Sequence, residues 1–462
     1  MSTDTIATTV GEFIDTLPVR RFQIQIAVLA GIVVLLDGLD NIVIGLVGPA
    51  MAASAGVKVA ALSPVFSAGQ FGFMAGALLI APLGDRLGRK PVMIGAIALF
   101  GIMTVLTATA DSVTGLLVLR FLTGVGMGGA APVALALVAE YMPSRRRAST
   151  VAMVWAGFPL GGVVAGLVAP LFLPDWQLLF VLIGGVVVVV ALILLWGIPE
   201  SLGFLAARAV RRDRIPGLVH RLAPERTDYQ SIQFRASEER SHVPVRQLFA
   251  DRRAVVTIVL WAVFFCSFLP MVLISNWSPT ILENSGLTVA EAGLAITFNS
   301  LGSWIGSGIV GVLMDHLGKF RVILIGLVIT AANFVVLGAV AGNFAGAAIA
   351  IAALGFFAGG AQSGIITLGS LFYPTVIRST GLGWAVALGR FGSAIGPLVG
   401  GAMIAAGWSA FTSFAVVAAF PIATLIMLVI VRLLVRQRPE SFPAIITSDQ
   451  PAAQKEAVSI HG

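Results

Sequence analysis

Charged residues are scarce in this sequence, at 11% of 462 positions. A soluble domain carries about 25% charged residues, so the composition excludes an ordinary soluble protein. Hydrophobic residues make up 58% of the chain and its mean hydropathy is +0.98. Strand-like alternation of apolar and polar residues is also absent, which excludes a membrane barrel. These features indicate an all-α integral membrane protein that crosses the bilayer as helices.

Reactive side chains are few as well. The single cysteine, Cys266, excludes an intramolecular disulfide and a cysteine-rich metal site. The four histidines lie in predicted loops or tails: His220, His242, His316 and His461. A membrane enzyme would need a nucleophile with its base, or a metal cluster, and neither is visible. We therefore predict no enzyme activity, no metal and no cofactor. The N-terminus lacks the basic and apolar regions of a cleaved signal peptide.

Apolar runs predict twelve membrane spans, at about 23–50, 60–82, 91–110, 114–140, 146–172, 177–197, 254–282, 290–314, 320–341, 344–372, 379–405 and 409–434. Between the sixth and seventh lies the polar stretch 199–253, which contains eleven arginines. We interpret this stretch as a partly helical linker that cannot bury a core of its own. The predicted organisation is a tail (1–22), a six-helix bundle (23–198), the linker (199–253), a second six-helix bundle (254–434) and a tail (435–462).

The net charge of +7 comes from basic residues that cluster in alternate loops. Examples are Arg86 with Arg89 and Lys90, Arg145–Arg147, and the linker, whereas Lys58 is the only basic residue in the other set. This alternation predicts that the basic loops, the linker and both termini are cytoplasmic. It argues against a nucleic-acid partner, because the charge reports orientation in a lipid bilayer.

The two halves of the sequence repeat. Leu83–Arg89 recurs as Leu313–Lys319, at an offset of 230. Five residues recur at an offset of 231: Gly124, Gly128, Gly129, Pro143 and Arg147 as Gly355, Gly359, Gly360, Pro374 and Arg378. Two six-helix halves related by an axis along the membrane normal are the repeat architecture of major facilitator transporters.

The loop Asp85-Arg86-Leu87-Gly88-Arg89-Lys90 resembles the signature of the major facilitator superfamily, Gly-x-x-x-Asp-Arg-x-Gly-Arg-Lys. Ala81 replaces the first glycine, whereas the second copy keeps it as Gly311. The resemblance implies a conformational gate at one membrane face. The predicted gating residues are Asp85, Arg86, Gly88, Arg89, Glu140, Asp315 and Arg378.

Ionisable residues inside the spans are few: Asp37, Asp40, Arg120 and Arg390, with Glu140 near the end of span 4. A carboxylate in hydrocarbon costs about 2.5–3.5 kcal/mol on insertion scales, so Asp37 and Asp40 are predicted to be functional. Counting about 1.5 Å of rise per residue places Arg120 at the depth of Asp40. We predict that Asp40 pairs with Arg120. Two alternatives stay open: the pair is purely structural, or Arg120 contacts the substrate.

Arg390 lies near the middle of span 11 and is the predicted anion ligand, because its planar guanidinium matches a carboxylate. Ring contacts and a polar group are predicted from nearby spans. These candidate substrate-binding residues are Phe391, Trp384, Phe158, Trp277 and Asn299, together with Arg390 and Arg120.

Four stretches resemble the aromatic acid:proton symporter family within this superfamily. They are Asp37-Gly38-Leu39-Asp40, Arg120-Phe121-Leu122-Thr123-Gly124, Asn276-Trp277-Ser278-Pro279-Thr280, and Tyr373–Gly381 continuing to Gly389-Arg390-Phe391-Gly392. The resemblance implies proton-coupled uptake of benzoate-like acids across a bacterial inner membrane, with Asp37 and Asp40 required. Leu39 replaces the usual aromatic ring, which suggests a bulkier or less planar substrate.

The predicted mechanism is alternating access, in which Asp37 or Asp40 takes a proton and frees an arginine for the substrate carboxylate. The partners are protons, one small carboxylate and the lipid bilayer, and we expect a monomer. The alternatives are a symporter of a non-aromatic organic anion, and a proton-driven exporter of aromatic acids or drugs. A transporter-like receptor that senses an aromatic acid also stays open.

Overall fold

The computed structural model describes residues 7–173, 175–207, 212–225, 233–235, 245–250, 253–374 and 377–437. Twelve of the described helical segments are long and apolar enough to cross a membrane. These spans are Arg21–Leu46, Val59–Leu87, Arg89–Thr107, Val113–Tyr141, Ser144–Phe172, Trp176–Gly197, Ala254–Asn284, Val289–Met314, Lys319–Val340, Phe344–Leu371, Thr380–Ala405 and Ala410–Gln437, numbered 1 to 12. The predicted number and order of spans are confirmed. His242, His461 and most of the predicted C-terminal tail, 438–462, lie outside the described residues.

Several spans are interrupted. Span 2 consists of a 3₁₀ turn, Val59–Leu62, followed by Ser63–Leu79 and Leu83–Leu87. Span 5 divides into Ser144–Trp155 and Gly157–Phe172, and span 12 into Ala410–Val417 and Ala419–Gln437. Pro159 follows the break in span 5, and Pro421 follows the break in span 12. Proline has no N–H to donate to the main-chain oxygen four residues earlier, so a helix is interrupted in front of it. The helices of spans 8 and 11 extend beyond the spans, as Val289–Leu317 and Arg378–Ala405.

Short elements lie outside the spans. They are the strands Ala7–Thr9 and Gln233–Arg235, the helices Val10–Thr16, Gly48–Ser54, Leu202–Ala207 and Ile215–Leu222, and the 3₁₀ turns Arg212–Arg214 and Val245–Phe249. The term basic end is used for the helix ends that meet the basic loops, at Arg86–Lys90, Ser144–Arg147, Lys319–Arg321 and Arg378. The term opposite end is used for the other helix ends.

The internal repeat is visible in matched glycine contacts. Gly128 packs against the main chain of Phe73, and their repeat partners Gly359 and Ser303 make the equivalent contact. Gly129 faces Ile80 in the first half, as Gly360 faces Val310 in the second. Glycines allow membrane helices to approach closely, so the repeated positions conserve the packing of span 2 on span 4 and of span 8 on span 10.

The described chain divides into two compact units. The first consists of Met1–Asp40, Phe71–Gly161 and Gln177–Ser241. Its strand Ala7–Thr9 pairs in parallel with Gln233–Arg235. The helix Val10–Thr16 begins with a capping box, in which Thr9 and Glu12 bond each other's main chain.

The N-terminal segment and the first part of the linker share an apolar cluster. Phe13 and Ile14 are buried in it together with Val219 and Leu222. Arg145, in the loop after span 4, donates to the main-chain oxygens of Asp15 and Leu17. These linker residues thus form no core of their own but join the apolar cluster of the first unit. Val219 and Leu222 share one face of a short helix, a pattern that the overall polarity of the stretch conceals.

The second unit consists of Asn41–Gln70, Gly162–Trp176 and His242–Gly462. It joins the opposite ends of spans 1, 2 and 5 to the second half of the sequence. Gly45 packs against the main chain of Asn276, and Gly162 packs against Ser300. The two compact units therefore do not coincide with the two sequence halves. The second unit includes segments of the first half, because glycine contacts at the opposite end pack those segments against the second half.

Candidate functional site

A buried ion pair joins spans 1 and 4 in the first unit. One terminal nitrogen of Arg120 donates to both carboxylate oxygens of Asp40, at 3.0 and 3.2 Å. Both side chains are 4% exposed. The pairing that helix depth predicted is therefore confirmed.

Two other side chains enclose the arginine. Its second terminal nitrogen lies 3.4 Å from the hydroxyl oxygen of Thr107, at the end of span 3. The ring of Phe180 in span 6 covers the guanidinium, 4.8 Å from the ring centroid. With an acid, a hydroxyl and a ring around it, Arg120 is positioned to hold Asp40. This arrangement favours the ion pair over the predicted contact of Arg120 with substrate.

Asp37 lies less than one turn before Asp40 and is also buried, at 2% exposure. Between the two acids, Gly38 packs directly on the main chain of Phe158 in span 5. Gly161 makes a second close contact with span 1, at the main chain of Leu35. Because a side chain at Gly38 would meet main-chain atoms, the glycine sets the separation of spans 1 and 5 at the level of the acids.

Phe158 is the second residue of the second helix of span 5, which begins at Gly157 after the break at Ala156. Its ring is half-buried and stacks on Trp155, with centroids 6.0 Å apart and an angle of 10° between the planes. Phe158 therefore lies in the first unit beside Gly38, next to the two acids, and its contact with the substrate stays a prediction.

Leu39 is buried, at 9% exposure, and its main chain packs against Gly161. The side chain therefore contributes to helix packing in the first unit. The prediction that Leu39 selects the substrate is not supported by this placement.

Span 11 carries the candidate anion ligand of the second unit. Arg390 is half-buried, whereas Phe391 and Trp384 are 41% and 42% exposed. Phe391 contacts the ring of Phe265, and Trp384 stacks on Trp261 at 5.8 Å. Since one residue turns a helix by about 100°, Trp384 and Phe391 share one face and Arg390 points away from it. The two rings therefore form a separate surface from the cation.

Trp277 is a correction to the predicted substrate-binding set. It is fully buried, donates its ring N–H to the main-chain oxygen of Pro397 at 2.8 Å, and meets the ring of Phe66 edge-on at 5.2 Å. Gly400 makes room for it on span 11. Trp277 thus packs spans 2, 7 and 11 together. Asn299 is half-buried, and its main chain packs against Gly355.

Charged residues at the basic end of the first unit form a network. Arg89 contacts Asp85 at 3.0 Å and Glu140 at 2.6 Å. Gly88 has a φ of +103°. Glycine adopts this backbone conformation readily because glycine has no side chain. Arg86 is exposed beside it.

The sequence analysis missed one member of this network. Glu200, at the start of the linker, accepts hydrogen bonds from the main-chain N–H groups of Arg89 and Lys90. Its carboxylate therefore lies at the N-terminus of span 3, where a negative charge is stabilised. A glutamate after the sixth apolar run carried no signal of this contact in the sequence.

The second copy of the loop is similar in its backbone. Gly318 has a φ of +90°, and Asp315 lies in the last turn of Val289–Leu317, although its side chain is outside the described part. Arg378 donates to the main-chain oxygen of Tyr373 at 3.4 Å. Burial raises the pKa of the Tyr373 phenol, which Thr257 and Trp261 approach.

The sequence model of the Major Facilitator Superfamily matches residues 30–288 and 260–454. The chain belongs to the Major Facilitator Superfamily. Its helices also superpose on the inward-open structure of the xylose transporter XylE from E. coli, with a TM-score of 0.71 and 19% identity over 88% of this chain and 95% of that one.

Curated relatives of this superfamily member are transporters. A gallate transporter of Pseudomonas putida is 35% identical over 86% of this chain and 89% of the relative. The 4-hydroxybenzoate transporter PcaK of the same species is 33% identical over 87% and 90%. The chain is accordingly a multi-pass membrane transporter and not an enzyme.

Proposed function

We propose that this transporter imports an aromatic carboxylic acid together with protons, by alternating access. The observation that carries the proposal is the ion pair of Asp40 with Arg120, which is enclosed within membrane spans and has Asp37 less than one turn away. An intramembrane acid at such a position is typical of proton relays in transporters. The names of the curated relatives support an aromatic acid as the substrate.

Protonation is the step that these residues perform. When Asp40 is neutral, its attraction for Arg120 falls, because the Coulomb attraction between the two opposite charges is lost. Asp37 is the second proton acceptor of the same helix, and Gly38 keeps both acids against span 5. Proton binding thus changes the stability of the contact between spans 1 and 4, which couples the proton to a movement of helices.

Arg390 is the proposed ligand of the substrate carboxylate. Its charge is permanent, and its planar fork suits a carboxylate. One monovalent anion moving with one proton carries no net charge, so such a cycle would be driven by the pH gradient alone. Any larger number of protons would add a contribution from the membrane potential.

Orientation and gating complete the proposal. The basic loops favour an orientation with both termini in the cytoplasm. The bacterial relatives support a location in the inner membrane. The network of Asp85, Arg89, Glu140 and Glu200 is then the cytoplasmic gate. At the opposite end, the close contacts of Gly45 and Gly162 form the external gate. Each gate must open once per cycle while the other stays closed.

Uptake into proteoliposomes tests the proposal. With an acidic exterior, purified wild-type protein should accumulate labelled 4-hydroxybenzoate, and a non-aromatic dicarboxylate such as succinate should not compete. Asp37→Asn and Asp40→Asn should abolish accumulation against the gradient. Accumulation by both variants would disprove the coupling role. Efflux under the same gradient would indicate an exporter, and binding without transport a receptor.

A further inference from the structure

Span 3 carries two threonine hydroxyls beside the buried ion pair of the first unit. Thr104 and Thr107 lie three positions apart, on one face of the helix, and both are fully buried. The oxygen of Thr107 lies 3.4 Å from the second terminal nitrogen of Arg120. The hydroxyl of Thr107 donates its hydrogen to the main-chain oxygen of Met103 at 2.8 Å. Thr107 can therefore act towards Arg120 only as an acceptor.

The packing of spans 3 and 4 places Thr104 at the level of Arg120. A side chain at Gly126 would meet the main chain of Ala96 and Phe100, so the two helices are in direct contact there. The spans run in opposite directions, and Arg120 lies six residues before Gly126 on span 4. Six residues beyond Ala96 and Phe100 on span 3 are positions 102 and 106, with Thr104 between them. Thr104 also lies one turn beyond Phe100, on the face that contacts span 4.

The side chains of Arg120 and Thr104 have complementary groups that are not joined to each other. Arg120 uses its terminal nitrogens for Asp40 and Thr107, whereas its Nε–H meets no acceptor among the described residues. The hydroxyl oxygen of Thr104 has no partner in the same part of the chain. Buried polar groups are normally satisfied. A buried donor and a buried acceptor on contacting helices thus indicate a second state in which the two are bonded.

Protonation of Asp40 creates the need for such a state. The guanidinium keeps its charge when the carboxylate is neutralised, and a buried cation without its counterion is strongly disfavoured. The ring of Phe180 already covers the cation at 4.8 Å, and Thr107 already offers it an oxygen. A second hydroxyl oxygen, on the same face of span 3, would add an acceptor for the Nε–H.

We infer that Thr104 is a positioning residue of the coupling reaction, which receives the side chain of Arg120 when Asp40 takes up its proton. This inference rests on the proposed function and names the residue that holds the released arginine. The proton forms the O–H bond of the Asp40 carboxyl, and Arg120 stays charged. The guanidinium exchanges its bonds to the carboxylate for bonds to Thr104 and Thr107. Span 4 is thereby released from span 1 and held by span 3, and loss of the proton reverses the exchange.

A double-mutant cycle in the purified full-length protein tests the inference, with thermal unfolding in detergent as the readout. Asp40→Asn imitates the protonated acid, since asparagine has a similar shape and no charge. In the wild-type background, Thr104→Val replaces an unpartnered hydroxyl by a methyl group, so the Tm should stay constant or rise. In the Asp40→Asn background, the same change removes an acceptor of Arg120, so the Tm should fall by roughly 2 °C or more. Thr104→Ser keeps the hydroxyl and should leave the Tm of both backgrounds unchanged.

Thr123→Val is the matched control. The buried hydroxyl of Thr123 donates to the main-chain oxygen of Leu119 on its own helix, at 2.8 Å. Its loss should change the Tm equally in the two backgrounds, because this bond does not involve Arg120.

Proton-driven uptake of 4-hydroxybenzoate is the second readout. Thr104→Val should lower the uptake rate roughly tenfold, the effect of one lost hydrogen bond to a charged group, and Thr104→Ser should restore it. Equal changes of the Tm by Thr104→Val in both backgrounds, or full uptake by this variant, would overturn the inference while the proposed function stands. Wild-type protein without proton-driven uptake would refute the proposed function. The Tm cycle would then still decide whether Thr104 receives Arg120 when residue 40 is neutral.

Discussion

The carboxylate of Glu200 accepts the main-chain N–H of Arg89 at 2.7 Å, across 111 positions of sequence. The same oxygen accepts from Lys90 at 3.2 Å. An acid after span 6 therefore caps the first turn of span 3, and the side chain of Arg89 is left to pair with Glu140. The start of the linker is part of the basic-end network in the first unit.

Replacing Glu200 tests this cap. Glu200→Ala removes the acceptor of the Arg89 and Lys90 N–H groups at the start of span 3, as well as that of Ser201. The free energy of unfolding should fall by about 1–2 kcal/mol, as for other lost N-terminal caps. Thermal unfolding of the purified protein in detergent measures the change. Glu225→Gln is the control. The side chain of Glu225 is 81% exposed, so its ion pair with Arg20 should contribute little to the free energy of unfolding. Equal losses in the two variants would contradict the capping role.

Variants of the Asp40–Arg120 pair should show different effects on stability and on transport. Arg120→Gln leaves Asp40 buried without its cation, so the free energy of unfolding should fall by roughly 3–5 kcal/mol. The double variant Asp40→Asn with Arg120→Gln removes both charges and should recover much of that loss. Thermal unfolding and proton-driven uptake of 4-hydroxybenzoate should be measured together. We expect stability without accumulation in the double variant.

A double variant that still accumulates the acid would show that the pair is structural. A double variant as unstable as Arg120→Gln would show that the hydrogen bond to Thr107 and the contact with Phe180 matter more than the charges.

The sequence predicted this pair because depth in a membrane helix follows from counting residues. It did not predict the orientation of Trp277 or Leu39. In a span that is apolar around its whole circumference, periodicity does not show which face packs on another helix. Glu200 and the N-terminal segment were missed for a different reason, since their contacts join residues more than one hundred positions apart.

Gly38 should tolerate no side chain. A Cβ at this position would meet the main chain of Phe158, whereas nothing lies within 4 Å of a Cβ at Gly31 on the same span. Gly38→Val should therefore displace span 1 from span 5 and abolish uptake, with less folded protein in the membrane. Gly31→Ala should be neutral or stabilising by up to about 1 kcal/mol, because alanine favours the helix. Full uptake by Gly38→Val would show that the close approach of the two spans is dispensable.

Trp277 should contribute to stability and not to substrate affinity. Trp277→Phe keeps a ring against Phe66 but leaves the main-chain oxygen of Pro397 without its donor. The free energy of unfolding should fall by roughly 1–3 kcal/mol, while the dissociation constant of 4-hydroxybenzoate stays constant. Trp384→Ala, at an exposed ring of span 11, is the comparison, with a much smaller loss of stability expected. An increased dissociation constant in Trp277→Phe at unchanged Tm would return Trp277 to the substrate site, since a purely packing role cannot produce that combination.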